Sequence, residues 1–178
     1  PNSKPEAPDG ETGEPIYFPK NSIKRDDLTV IKASCCLPAV CKPIVIDGKD
    51  CFDGGISDPI PFQKAFDMGC DKVIVVISKP IDYRKSPQKH MPIIKAALKK
   101  YPKVFDRLAV RHEVYNRQLE EAIKLQEQDK VIILAPQDCY GVNTLTREPA
   151  ALEKLYEEGR RCADEHLSEI KAPGEKTA

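Results

Sequence analysis

The stretch KVIVVIS (Lys72–Ser78) is apolar at consecutive positions, without the alternation of a half-solvated strand. A strand covered on both faces, as in a parallel sheet flanked by helices, needs such a run. VIILAP (Val131–Pro136) reads the same way. Two stretches with helical spacing lie between them. In one, Ile93, Ile94, Ala97, Leu98 and Tyr101 form a stripe. The other runs from about Val104 to Gln128 and carries Leu108, Tyr115, Leu119, Ala122 and Ile123. Strands alternating with helices predict an α/β layered fold. Strands buried on both faces need neighbours to pair their backbone groups. The chain offers only a hairpin and one weak strand, so the sheet is expected to be incomplete, with its missing strands supplied from a segment N-terminal to Pro1.

Working outward, PIVI (Pro43–Ile46) and KDCF (Lys49–Phe52) flank Asp47-Gly48. Both turn positions of such a hairpin need positive φ, and Asp-Gly supplies it. Asp53 follows at once, then Gly54 and Gly55. Ser57 or Asp58 is expected to cap the next helix, with Pro59 in its first turn. Phe62, Ala65 and Phe66 give that helix one apolar stripe, and Gly69 closes it. Upstream, residues 1–14 are polar and rich in Pro and Gly, and read as loop or disorder. PIYF (Pro15–Phe18) is a short strand. DDLTVIKASCCLP (Asp26–Pro38) reads as a helix capped by Asp26 or Asp27 and ended by Pro38. A final polar helix is expected from about Glu148 to Lys171.

The totals narrow the function. The 178 residues suffice for one domain with a core. Basic and acidic side chains balance at 28 each, so no global field points to nucleic acid. No apolar run is long enough to span a membrane. The start at Pro1, without Met, reads as processed or cut from something longer. Seven cysteines without a Cys-x-x-Cys pair suggest neither a disulfide framework nor a zinc site. They read as reduced, mostly buried small hydrophobes, which favours the cytoplasm.

Asp-Gly-Gly alone is a turn. Its setting adds chemistry. Glycines after a carboxylate leave it uncovered and open backbone conformations closed to other residues. A carboxylate at a strand end, beside a helix start, is where α/β proteins commonly hold ligands.

The stretch from Ala33 to Ser78 resembles the second half of a patatin-like phospholipase domain. Ala33, Ser34 and Pro38 match that family's Ala-Ser-x-x-x-Pro segment. The hairpin comes next, and Asp53, Gly54 and Gly55 match its Asp-Gly-Gly motif. A proline-containing link, a helix and a DKVIVV strand (Asp71–Val76) follow in order. RHEVYN (Arg111–Asn116) and IILAP (Ile132–Pro136) are similar to a bacterial branch of the family. The resemblance implies a patatin-like α/β/α fold with a mostly parallel central sheet. It also implies a serine lipid acyl hydrolase with a Ser–Asp dyad, in which Asp53 is the catalytic aspartate. The expected organisation is a lead-in over 1–14, the C-terminal part of the patatin-like domain over 15–140, and a helical extension over 141–178.

A carboxylate can deprotonate a serine directly when it is partly desolvated and within reach, because burial raises its pKa. None of the seven serines lies in the family's Gly-x-Ser-x-Gly. The nearest, GISDP around Ser57, has Pro59 in place of the second glycine, and Ser57 reads as a helix cap. No glycine-rich oxyanion loop is present. His90, His112 and His166 lack the spacing of a triad. The chain is thus expected to supply the base alone, to need no metal or organic cofactor, and to hydrolyse no ester by itself. Its expected partners are a lipid or ester substrate and the N-terminal half of the same domain. From Arg84 to Arg111 there are nine basic residues and one acid, Asp106. This run is either a solvated face or a surface for anionic lipid headgroups, which would place the protein peripherally at a membrane. The rival to the enzyme is a non-catalytic module that binds lipid or a partner protein.

Overall fold

The computed structural model describes residues 5–144 and 146–171. The fold is mixed α/β, and the chain divides into two compact units. One comprises the chain up to Pro61 together with Lys85–Arg117; the other comprises Phe62–Arg84 and the chain from Gln118.

In the first unit, β1 (Glu6–Pro8) pairs antiparallel with β2 (Pro15–Tyr17), Glu6 opposite Tyr17. β1 corrects the expectation of an unstructured lead-in. Its three residues are buried, and Gly10 and Gly13 lie in the turn that returns the chain to β2. Asp9 organises that turn, accepting the Glu11 N–H at 2.8 Å and pairing with Lys49 at 2.9 Å. The hairpin of β3 (Ile44–Ile46) and β4 (Lys49–Cys51) forms as the sequence predicts, with Asp47 at φ 50° and Gly48 at φ 78°. An Asp9–Cys51 bridge joins the two pairs, with the Phe52 N–H donating to the Pro8 carbonyl at 3.2 Å.

α1 (Thr29–Ser34) is shorter than its sequence suggests. Asp27 accepts the Thr29 N–H at 3.0 Å, and the helix ends before Pro38 is reached. It buries Val30 and Ala33 with Ala7, Phe18 and Cys51. A second cluster gathers Phe52, Ile56, Leu98, Val104 and Leu108. The last three lie after α3 (Met91–Ala97) and in the first part of α4 (Pro102–Glu127). The Phe52 and Tyr101 rings meet edge-on with centroids 4.9 Å apart, and the Tyr101 hydroxyl donates to Asp50 at 2.8 Å.

The helix expected from a cap at Ser57 or Asp58 starts later, beyond Pro59. A single 3-10 turn spans Gly54–Ile56, and α2 (Phe62–Asp67) begins only after Pro59 and Pro61. Gly69 closes α2 at φ 83°.

In the second unit, β5 (Val73–Val76) and β6 (Val131–Leu134) pair in parallel, Val73 opposite Val131. They form the one parallel pair among the described residues, beside two antiparallel ones. β6 is buried over Val131–Ile133. β5 is not covered on both faces as its composition predicts: Val75 is buried, while Ile74 and Val76 are 45% and 74% exposed. Beyond β6, the outward-facing Ile133 N–H donates to the Gln126 side chain at 2.8 Å. The last helical region is α5 (Pro149–Glu165) and a short α6 (Leu167–Lys171), separated at His166. Buried Glu158 on α5 accepts from the Gln137 N–H and pairs with Arg161. The cysteines are unpaired, and only Cys36, Cys51 and Cys162 are buried; Cys35 and Cys41 are exposed.

Candidate active site around Asp53

The site lies entirely in the first unit, where β4 runs out into the 3-10 turn. Phe52 and Ile56, each 1% exposed, anchor the turn on both sides of the Asp-Gly-Gly segment. Their burial in one core cluster fixes where Asp53 emerges. Asp53 itself is half-buried in extended conformation (φ −58°, ψ 123°). Its N–H donates to the Cys36 carbonyl at 2.8 Å, tying the turn to the segment after α1. Its Oδ1 accepts the Gly55 N–H at 2.9 Å, an Asx-type cap.

Burial pushes the Asp53 pKa above its ordinary value of 3.8. The Arg111 guanidinium, the Gly55 N–H and the Lys85 ammonium oppose that rise. Arg111 comes from α4, and its Nε is buried without a hydrogen-bond partner. Asp53 is therefore a carboxylate made more basic by desolvation, with nearby positive charge opposing part of that rise.

The two glycines matter for reasons other than φ, since neither has a positive one. A Cβ on Gly54 would stand 2.5 Å from the Glu6 carbonyl oxygen and 3.0 Å from Glu6 Oε2. A Cβ on Gly55 would stand 2.8 Å from an Arg111 terminal nitrogen and 3.1 Å from Asp53 Oδ1. Gly54 thus admits the β1 backbone, and Gly55 admits the guanidinium beside the carboxylate. Close approach, rather than backbone freedom, is what the motif provides here.

Glu6 and Arg111 are the members of the site that reasoning from sequence missed. Glu6 is 5% exposed, and its Oε1 accepts the Ser57 hydroxyl at 2.5 Å. Burial raises its pKa to about 8 against the opposing pull of Ser57, and the charges of Asp58 and Asp53 add to the rise. Only strand pairing brings Glu6 here, so no local spacing could have signalled it. Arg111 stood at the edge of the basic run, and nothing local to it distinguished it from its neighbours.

Ser57 is not a cap of α2. It follows the 3-10 turn, and its hydroxyl is committed to Glu6. Asp58 accepts the Tyr17 hydroxyl. His112 lies on α4 with Nε2 3.7 Å from Glu113 and a buried Nδ1 that has no partner. Among the described residues no cluster of three or more His, Cys, Asp or Glu side chains could hold a metal ion, and no helix is long and apolar enough to cross a membrane.

Residues 101–172 match a family described as a domain of unknown function (DUF6363). The matched stretch includes Arg111 and excludes Asp53. The chain is similar to the uncharacterized protein YjjU of Escherichia coli (strain K12), with 29% identity over 161 residues. That alignment covers 88% of this chain and 44% of YjjU, so the chain spans less than half the length of this relative.

Proposed function

We propose that this chain is the base-bearing portion of a patatin-like serine lipid acyl hydrolase, with Asp53 as the general base. The observation that carries the reading is the state of Asp53: half-buried, desolvated, fixed at a strand end, and held by a turn whose glycines admit the Glu6 backbone and the Arg111 guanidinium beside it. A carboxylate of raised basicity suits proton abstraction from a hydroxyl. Oδ1 is engaged by the Gly55 N–H, which leaves proton transfer to Oδ2.

In this reading a serine on polypeptide upstream of the chain attacks the ester carbonyl as Asp53 takes its proton. Backbone N–H groups from the same upstream polypeptide receive the oxyanion. Asp53 returns the proton to the leaving alcohol and then activates water for deacylation. That polypeptide would also extend the sheet into a layered α/β/α arrangement. The edge of β6 has its Ile133 N–H occupied by Gln126, so added strands would join at β5, where Ile74 and Val76 stand exposed. The basic residues about α3, with Ile93 70% exposed among them, suit peripheral contact with anionic lipid. A cytoplasmic protein visiting a membrane surface fits this pattern.

The second reading is a non-catalytic module that kept the scaffold. It is favoured by the cap that Asp53 provides to its own turn, which alone would account for an aspartate there. A fluorophosphonate probe, which labels activated serines, separates the two. The hydrolase reading expects labelling of the protein that carries its upstream segment, at a serine in that segment, and none of the 178-residue chain alone. Absence of label on both, or label on Ser57, overturns it.

A further inference from the structure

Three acidic side chains converge on the turn that carries Asp53. Asp53 begins it, Asp58 lies just past its end, and Glu6 reaches it from β1. Three carboxylates so placed would repel one another strongly away from water. The geometry shows how the repulsion is avoided. Asp53 faces Arg111 and Lys85, which stabilise its charge. Asp58 takes a hydrogen bond from Tyr17, the residue opposite Glu6 in the strand pair. Glu6 has no cation among the groups acting on it; it has the Ser57 hydroxyl and the two neighbouring acids. Of the buried residues on α1, Val30 and Ala33 are apolar and offer it no charge.

We infer that Glu6 is a positioning residue for Asp53: it clasps the turn through the Ser57 hydroxyl and through close backbone approach at Gly54. The clasp has two points. Ser57 Oγ sits 2.5 Å from Glu6 Oε1, and Gly54 packs where a Cβ would strike the Glu6 carbonyl oxygen. Both points lie within four residues of Asp53, on the same short turn. The elevated affinity of Glu6 for its proton, at about 8, agrees with a neutral acid near neutral pH. When Glu6 ionises, its new charge faces Asp53 and Asp58 with no cation to offset it. The turn then loosens and Asp53 loses its fixed position. This inference rests on the reading of Asp53 as general base, and it adds a proton-controlled latch to that site.

The test is a titration of carboxyl carbons by NMR in the 13C-labelled 178-residue chain, with amide shifts of Gly54, Gly55 and Ser57 followed in parallel. The Glu6 carboxyl is expected to titrate near pH 8, and the three amides to shift with the same midpoint. Asp53→Asn lowers the Glu6 midpoint by removing a repelling charge. Ser57→Ala raises it by removing a hydrogen bond to the charged form. Glu6→Gln keeps an acceptor for Ser57 and erases the amide transition. A Glu6 midpoint in the ordinary glutamate range overturns the inference, as does an amide transition that persists in Glu6→Gln. Should Glu6→Gln fail to fold, the opposite shifts in Asp53→Asn and Ser57→Ala decide the matter. No step reads ester turnover, so failure here leaves the hydrolase reading standing, and failure of probe labelling leaves the latch standing.

Discussion

Gly54 and Gly55 meet different obstacles, and the difference can be measured. A methyl group on Gly54 would strike backbone, the Glu6 carbonyl at 2.5 Å, which moves only if β1 moves. A methyl group on Gly55 would strike the end of the Arg111 side chain at 2.8 Å, which can swing aside. Gly54→Ala should therefore cost about 1–3 kcal/mol, the usual range for overpacking, and Gly55→Ala distinctly less. Urea unfolding of both variants checks the order. Gly55→Ala should still harm function, because a displaced guanidinium no longer steadies the Asp53 charge. Glu6 imposes a pH dependence of definite sign. Its pKa is raised in the folded state, so folding is favoured most below its ordinary value of 4.5 and loses that advantage as pH rises toward about 8. Glu6→Gln should flatten the stability profile across that window, as read by denaturation midpoints between pH 5 and 9. At this scale the motif singled out Asp53, Gly54 and Gly55 as candidates. Glu6 and Arg111 were hidden, since a strand pairing and a helix packing bring them in from 47 and 58 positions away along the chain.

The elements differ in how far local chemistry determined them. The β3–β4 hairpin was legible because Asp47-Gly48 satisfies a backbone demand that few dipeptides meet. A methyl group on Gly48 would meet nothing within 4 Å, so Gly48→Ala should cost about 1–2 kcal/mol from its positive φ alone. Thermal unfolding would register that loss, and Gly48→Asn should recover part of it. The helix expected from a cap at Ser57 or Asp58 starts late, at Phe62, for a physical reason. Pro59 and Pro61 favour a helix start, but the segment before them is held by Cys36, Pro8 and Glu6 in other parts of the unit. Likewise β1 was hidden by a composition typical of loops, because its partner strand and the cover of α1 supply the order. β5 shows the converse: an apolar run marks a strand but not what covers each face. α3 carries a prediction of its own. If Lys95 and, just beyond α3, Lys99 and Lys100 meet anionic lipid, reversing all three to Glu should abolish sedimentation with phosphatidylserine vesicles, and binding by the unaltered protein should fall with rising salt. Binding that ignores both changes would make this run a solvated face.

For the whole molecule, the mixed α/β class could be read from alternating apolar runs and helical stripes. The division into two units could not, because it depends on Lys85–Arg117 returning to the first unit after β5 has been laid down in the second. The match to a domain of unknown function over 101–172 takes in the whole of α4 and α5. YjjU is more than twice as long as the part this chain covers. The most direct test is the initial rate on a short-chain nitrophenyl ester, measured for the protein carrying its upstream segment and for its Asp53→Asn variant. With folding and KM little changed, kcat should fall by about 10²–10⁴-fold, the contribution expected of a general base. Turnover by the variant at the unaltered rate would contradict the account.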